Sequence, residues 1–508
     1  MKKIATAALA ATLAALAANA EINVVPRPVE VVEKDGFCHI FRKVGKADVT
    51  DRVKYVSDPA IPKEGYRLSV KESGITVASS DAAGKFYAIE TLKQLARSEK
   101  LGIVVPCVEI RDAPRYPWRG VHLDECRHFF GKEVVKGILD KMATYKLNRF
   151  HWHLTEDQGW RIDVPGYPEL VKYGAVRPES PKPGFHVSKP GKGNRDKMDH
   201  TPYGPFFYTE ADLREIVAYA AERHIQVVPE IELPGHVYAA LAAYPEFACK
   251  PENLRRRQPR TVWGIEPDVL CIGNDKAVKF MEDVLDYVCK VFPGNVIHIG
   301  GDECPSVRWK DCPKCKARMA ANGIKSEKDL QPWITRHFVD FLAKRGRRTI
   351  GWDEYLIGDI PKNAMGMSWR VPKKGRNVVT GAAAAERGHD VVMSPGNACY
   401  LDKAQGLKDD KYQYIGGNIP LSVCYGFDPS AGVSAKAAKH ILGGQGNNWT
   451  EYTWGREDLE WKMWPRMLAL AEVFWLGEKK PGFDDFKRRA AVHREALKKA
   501  GVNCAPLE

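Results

Sequence analysis

Asp302 and Glu303 stand side by side at the end of an apolar run, Val296 to Gly300, and adjacent carboxyls can divide acid and charge-stabilising work between them. Two acids this close oppose each other's ionisation, and a carboxyl set among aromatic rings favours its neutral form, so one of the pair can stay protonated near neutral pH. Spacing does not say which. The pair has company at the ends of other apolar runs: Asp124 and Arg127, Glu156 and Asp157, Glu230, Glu232 and His236, Trp352 with Asp353 and Glu354, Trp369 with Arg370, Tyr400 with Asp402, and Trp449 with Glu451. Any one of these alone reads as a solvated loop charge. Together they describe one pocket in which carboxylates face aromatic walls. Aromatic planes stack on sugar faces while acids and an arginine hydrogen-bond hydroxyls. Cleaving a glycosidic bond in turn needs an acid for the leaving oxygen and a group that stabilises positive charge at the anomeric carbon.

The elements that must position these groups are legible as period. Eight strand-like runs cover residues 120–124, 149–154, 226–232, 296–300, 349–352, 364–369, 390–393 and 440–444, with helical spacing at 132–145, 209–224, 275–291 and 331–345 between them. Eight is the number of strands that closes a parallel barrel, and in such barrels the chemistry collects at the C-terminal strand ends. The expected fold is therefore α/β, a (β/α)8 TIM barrel over residues 113–475, preceded by a small α+β domain over 21–112 and followed by a helical appendix over 476–508 that includes an amphipathic run at 483–500. Trp461, Trp464 and Trp475 recur near helical spacing and are expected to pack rather than to bind. The aperiodic, Pro- and Gly-rich stretch 177–207 reads either as a loop on the catalytic face or as a surface excursion.

Lys2 and Lys3, the apolar stretch from Ile4 to Ala18 and the small-residue site Ala18-Asn19-Ala20 are the three parts of a secretory signal, so residues 1–20 are expected to be removed and the protein exported, to a periplasm or beyond the cell. No later segment is apolar enough for an integral membrane span. The formal charge of +13 falls to +11 when the two signal lysines leave, a balance that favours acidic polymers or surfaces without proving them. The densest basic group, Arg255 to Arg257 with Arg260, lies in a polar Pro-flanked stretch, and no nucleic-acid module is visible. Twelve cysteines in an exported chain allow disulfides whose pairing spacing cannot give. Cys304, Cys312 and Cys315 cluster in sequence. They read as local disulfide or free thiols, or as three ligands of a structural zinc whose fourth ligand is not evident nearby.

A rival chemistry starts from His151 and His153, which project to one side of a strand as paired metal ligands do in barrel hydrolases; the bland reading makes them core histidines. The longer motifs decide between the classes. Leu123 to His128, Lys146 to Asn148 leading through His151-Trp152-His153-Leu154 to Asp157-Gln158-Gly159-Trp160-Arg161, His298 to Glu303, and Gly443-Gly444-Gln445 leading to Trp449-Thr450-Glu451 closely resemble family 20 glycoside hydrolases, the β-N-acetylhexosaminidases, and the likeness spans nearly the whole chain after the signal. The resemblance implies an exo-acting, retaining enzyme that removes terminal GlcNAc or GalNAc from glycans through an oxazolinium intermediate, with no cofactor and no metal. It implies Glu303 as general acid/base, Asp302 and Tyr400 on the acetamido group, Trp352 and Trp369 as pocket walls, Trp449 beneath the sugar ring, Arg127, Asp402 and Glu451 on hydroxyls, and His236 with Glu156 as a relay behind the acid. Glu156 stands where the family often has Asp, and Lys403 beside Asp402 is placed to meet an anionic substituent. A disaccharide-releasing relative of the lacto-N-biosidase type and a non-catalytic glycan-binding protein are the alternatives. The oligomeric state is not readable.

Overall fold

The computed structural model describes residues 22–41, 48–100, 102–187, 192–358, 360–371, 380–408 and 410–508, so the expected signal segment lies outside the described residues. The chain first builds a sheet from β1 (Glu30–Phe41), β2 (Val53–Ser57), β3 (Tyr66–Lys71), β4 (Gly74–Ser79), β5 (Arg97–Glu99) and β6 (Gly102–Asp112), in the order β1-β6-β3-β4-β2 with β5 paired to β6. Leu68 and Val70 on β3 and Ile75 and Val77 on β4 alternate with more accessible neighbours, the period-2 pattern of a sheet with one covered face. The cover is α1 (Ala82–Leu95), started by Asp81, whose carboxylate accepts from the Gly84 N–H, and packed through Tyr87, Ala88 and Leu92.

A closed parallel barrel follows. Its strands are β7 (Trp118–Asp124), β8 (Arg149–His153), β9 (Gln226–Glu230), β10 (Val296–His298), β11 (Arg348–Trp352), β12 (Met365–Ser368), β13 (Val391–Met393) and β14 (Ile441–Asn448), the last pairing with the first. The eight expected runs are these strands, with shifted ends. β10 stops at His298 because Gly300 and Gly301 turn the chain with φ of +60° and +95°, a region that favours glycine. β14 runs on to Asn448, which pairs with Leu123, because the pairing with β7 continues past the expected end.

The outer helices include α2 (Lys132–Thr144), α3 (Glu210–Ala221), α4 (Asp275–Val291), α5 (Pro313–Ala321) and α6 (Leu330–Ala343). In α4 the Asn274 side chain caps the Lys276 N–H, and Ala277, Phe280, Met281, Val284, Leu285, Val288 and Val291 form one buried stripe at helical spacing. Each large side chain in that stripe contributes roughly 1.5–3 kcal/mol through burial.

Every residue of α7 (Arg466–Leu476) is buried, and its end, Trp475 and Leu476, enters the core of the N-terminal sheet. The junction also buries charge. Lys146 Nζ lies 2.9 Å from Asp112 Oδ2, and the Trp475 indole N–H donates to Asp112 Oδ1 at 2.8 Å. The appendix is α8 (Phe483–Lys499), whose Arg489 donates to both oxygens of Glu472 on α7, each at 2.7 Å. Trp464 and Trp475 are buried as packing residues, and Trp461 is partly buried with its N–H on Asp410. In the stretch 177–207, Arg177 stacks over Tyr203, the Tyr203 hydroxyl accepts from the Phe129 N–H at 2.7 Å, and His186 packs on Tyr452 beside Glu451. Its described part is thus packed on the catalytic face.

Candidate active site

The C-terminal ends of the barrel strands surround a cavity of about 860 Å³ lined by the acids Asp302, Glu303, Glu354, Asp402 and Glu451, the cations Arg127, His236, Arg370 and Lys403, and the rings of Trp369, Tyr400 and Trp449. Residues from distant parts of the sequence meet here because each follows a strand of one barrel. Of the twelve positions singled out for the site, counting Lys403, all but Glu156 and Trp352 line the cavity.

Asp302 and Glu303 follow the Gly300-Gly301 turn. Glu303 has φ +47° and His236, after β9, has φ +50°, a left-handed conformation uncommon for such residues and typical of functional sites that store strain. They face each other: His236 Nε2 lies 3.8 Å from Glu303 Oε2 and 3.8 Å from Asp302 Oδ2. The Glu303 side chain is 37% exposed and that of Asp302 only 14%, so Glu303 is the more accessible of the two from the cavity. Burial pushes the Asp302 carboxyl up to about 7, with His236 opposing the rise and Glu303 adding to it.

Behind His236 stand two carboxylates, not one. Its Nδ1 lies 2.8 Å from Glu156 Oε1 and 3.1 Å from Asp157 Oδ2. Burial disfavours charge on the ring, but Glu156 and Asp157 outweigh it and hold His236 well above the usual histidine range. Asp157, legible in the sequence only as a strand-end acid within Asp157-Gln158-Gly159-Trp160, thus joins Glu156 as a partner of this ring. Glu156 is shared more widely, meeting Arg127 at 3.0 Å and His153 at 3.3 Å.

Arg127 is fixed on three sides, by Asp124 at 3.1 Å, by Gln158 Oε1 at 3.0 Å and by Glu156, with Glu451 at 4.0 Å and the Trp449 ring 5.1 Å away. Held this way, its charge faces the cavity beside Glu451. Asp402 is buried, with no hydrogen-bond partner on either carboxylate oxygen among the described residues. Burial and then Glu451 push it up to about 7. The Tyr400 ring stacks 6.2 Å from Trp369, whose indole N–H donates to Glu354 at 2.9 Å. Glu354 and Arg370 are further lining residues that the sequence placed at strand ends without a role. Trp352 lies one layer deeper than expected: it is fully buried, 5.6 Å from Trp449, and its N–H donates to Glu230 Oε1 at 2.8 Å.

Glu230 explains the histidines. His151 Nε2 lies 3.0 Å and His298 Nδ1 2.9 Å from its carboxylate, and His153 Nδ1 also bonds it, all fully buried inside the barrel. Despite burial, Glu230 and Glu156 raise His153 to about 10, while burial lowers His151 to about 4. The His153–Glu230 ion pair, with His151 kept neutral beside it, thus braces the barrel floor under Trp352, and His151 and His153 have core partners. Nearby, Glu232 lies against Gly300 so closely that a Cβ there would fall 1.9 Å from its carboxylate, and burial holds Glu232 well above the usual carboxylate range.

A parallel barrel with adjoining carboxyls at one strand end and a ring-walled, carboxylate-lined cavity is the architecture of a glycoside hydrolase. Residues 116–478 match the catalytic domain model of glycosyl hydrolase family 20, and residues 3–113 match that family's domain 2. A β-hexosaminidase of Porphyromonas gingivalis is 39% identical over 95% of this chain, which spans 64% of that relative's length. A β-hexosaminidase of Akkermansia muciniphila is 32% identical over 95% of this chain and 92% of its own. The structure of a Vibrio harveyi GH20 exo-β-N-acetylglucosaminidase in complex with N-acetylglucosamine superposes with a TM-score of 0.81 at 27% identity, covering 96% of this chain and 78% of that one. The chain belongs to glycosyl hydrolase family 20.

Proposed function

We propose that this hydrolase removes terminal β-linked N-acetylhexosamine from the non-reducing ends of glycans, with retention and with the substrate's own acetamido group as nucleophile. The observation that carries the reading is the meeting of Asp302, Glu303 and His236 at the mouth of a cavity walled by Trp369, Tyr400 and Trp449. The similarity to the Akkermansia and Porphyromonas β-hexosaminidases supports it.

In this reading Glu303 gives its proton to the glycosidic oxygen as the bond to the anomeric carbon breaks. The acetamido oxygen attacks that carbon from the opposite face and forms an oxazolinium ring. Asp302 takes up the positive charge that develops on the acetamido nitrogen, and Tyr400 donates to the acetamido oxygen, orienting it for attack. Glu303, now ionised, removes a proton from water, which opens the ring and restores the starting configuration. His236, kept charged by Glu156 and Asp157, opposes the rise that burial gives Asp302 and so favours the ionised carboxylate that charge stabilisation needs. Trp449 underlies the sugar, Trp369 walls the acetamido pocket with Trp352 backing Trp449, and Arg127, Asp402 and Glu451 bind the ring hydroxyls. The two unpartnered oxygens of Asp402 suit it to that work.

Hydrolysis of p-nitrophenyl β-N-acetylglucosaminide, β-N-acetylgalactosaminide, β-glucoside and β-lacto-N-bioside by purified residues 21–508 tests the proposal. Cleavage of the acetamido monosaccharides and not the glucoside is expected, and their ratio ranks the two epimers. Release from the disaccharide alone, or from none, would replace the reading. Export is a second proposal, supported by the lysine, alanine-rich and Ala-Asn-Ala order of residues 1–20. A mature N-terminus at Glu21 is expected on sequencing the protein from expressing cells.

A further inference from the structure

The three cysteines that cluster in sequence do not cluster in space. Cys312 and Cys315 meet Cys249 and Cys271 instead, and Cys304 is not part of the group. The four Sγ atoms lie within 4.8 Å of one another, with Cys249 to Cys315 at 3.7 Å, Cys271 to Cys312 at 3.7 Å and Cys271 to Cys315 at 3.8 Å. A disulfide holds its sulfurs about 2.05 Å apart, so none of these contacts is one. A tetrahedron of sulfurs about 2.3 Å from a central zinc has edges of about 3.8 Å, and the three measured contacts form a connected path along such edges. We propose that Cys249, Cys271, Cys312 and Cys315 form a structural tetrathiolate site for a zinc ion.

The backbone is built for it. Cys249 and Cys271 lie on two legs of the long connection after β9, joined by a bridge between Ala248 and Leu270 and by the Cys271 N–H donating to Phe247 O at 2.9 Å. Cys312 and Cys315 form a Cys-x-x-Cys turn entering α5, with Pro313 in its first turn, so one short turn presents both sulfurs to the same point. The two halves press together at Gly273: a Cβ there would lie 2.1 Å from the Lys314 carbonyl carbon and 2.3 Å from the Cys315 nitrogen. Cys271, Cys312 and Cys315 are buried and Cys249 is partly exposed, which leaves one side by which an ion can enter. Four sulfur ligands suit zinc and leave no open position, so the ion binds no substrate; binding displaces the remaining thiol protons to solvent.

The site links the two loops that matter for catalysis. The connection after β9 carries His236, and the segment from Asp302 to Cys312 carries Glu303. Near the acids these segments touch where a Cβ on Gly235 would lie 3.1 Å from the Cys304 Cβ. A zinc ion at the far end of the same two segments fixes their separation, and with it the approach of His236 to Glu303. No fourth ligand was legible in the sequence because Cys249 and Cys271 lie 63 and 41 residues before Cys312, brought near only by the barrel.

The test is the metal content of full-length protein purified without chelator from zinc-supplied cells. About one zinc per chain is expected, released by a thiol-specific mercurial in step with thiol modification. Cys312→Ser/Cys315→Ser is expected to lose the metal, whereas Cys304→Ser keeps it. If the double variant does not fold, protein produced with cobalt in place of zinc supplies the second reading: intense sulfur-to-cobalt charge-transfer bands with tetrahedral d–d bands are expected. Protein without zinc that also fails to give those bands overturns the proposal, as does a Cys249–Cys315 or Cys271–Cys312 disulfide in the non-reduced peptide map.

Discussion

His236 directs its Nδ1 at Asp157 Oδ2, 3.1 Å away, while its other nitrogen faces Asp302 and Glu303. With Glu156, the contact keeps the imidazole charged, and it makes the identity of residue 157 matter to the protonation of Asp302, which it does not touch.

Asp157→Asn should lower the tendency of His236 to hold its proton. With less positive charge beside it, Asp302 should ionise at higher pH, so the acid limb of the kcat/KM profile, which reports the group that must be charged, should move upward. The same direction is expected for Glu156→Gln. The loss of rate should be smaller than that for Glu303→Gln, for which removing general acid help predicts roughly 10²–10⁴-fold. An unmoved acid limb in both relay variants would show that the carboxylates only hold the ring in place.

Asp302→Asn should weaken a thiazoline mimic of the cyclic intermediate much more than it weakens the product sugar, because the buried Oδ1, which has no partner among the described residues, is assigned to the acetamido group. Equal inhibition constants in variant and wild type would remove that assignment.

Asp402→Asn should make the protein more stable, relative to wild type, at pH 8 than at pH 5. Burial and Glu451 raise the folded-state pKa of Asp402 from 3.8 to about 7. A raised carboxyl contributes stability fully below its unfolded value and loses it as pH rises through the folded one, at roughly 1.4 kcal/mol per pH unit between them at most. Asn has no such loss. Denaturant unfolding at the two pH values checks the sign, and a gap that stays constant would contradict it.

Lys146→Met should destabilise the junction of sheet and barrel by roughly 3–5 kcal/mol, since it leaves the Asp112 charge buried without its counter-ion. Adding Asp112→Asn, which keeps an acceptor for the Trp475 N–H, should recover part of the loss in thermal unfolding. Additive damage in the double variant would mean that packing, not charge, is what Lys146 supplies.

Lys403→Ala should reduce turnover of a 6-sulfated aryl N-acetylglucosaminide more than that of the unsulfated one. Lys403 lines the cavity and spends one donor on the Gly396 carbonyl, leaving others for an anion. An unchanged ratio of the two kcat/KM values would refute the idea.

Much of this arrangement was legible in the sequence because barrels turn period into position. Eight apolar runs predicted eight strands, and the residue just after each predicted where a side chain would stand. Contacts set by backbone turns or by distance in sequence were not legible. Nothing in the order Glu156-Asp157 shows that both carboxylates reach one imidazole. Trp352 looked like its fellow tryptophans until the Glu230 cluster drew its N–H inward. Trp475 was expected to pack, but only the fold shows that it does so in the core of the other domain, at the end of α7.

The contact between Gly300 and Glu232 bears on how this chain can change over generations. With φ at +60° and a carboxylate 1.9 Å from where a Cβ would sit, position 300 is closed to other residues while Glu232 occupies that space. A lineage altering the strand end that presents Asp302 and Glu303 must first shorten residue 232, and a side chain at 300 would still bear the strain of the turn. The order of substitutions is thus constrained, and a library that randomises position 300 alone should return almost nothing but glycine.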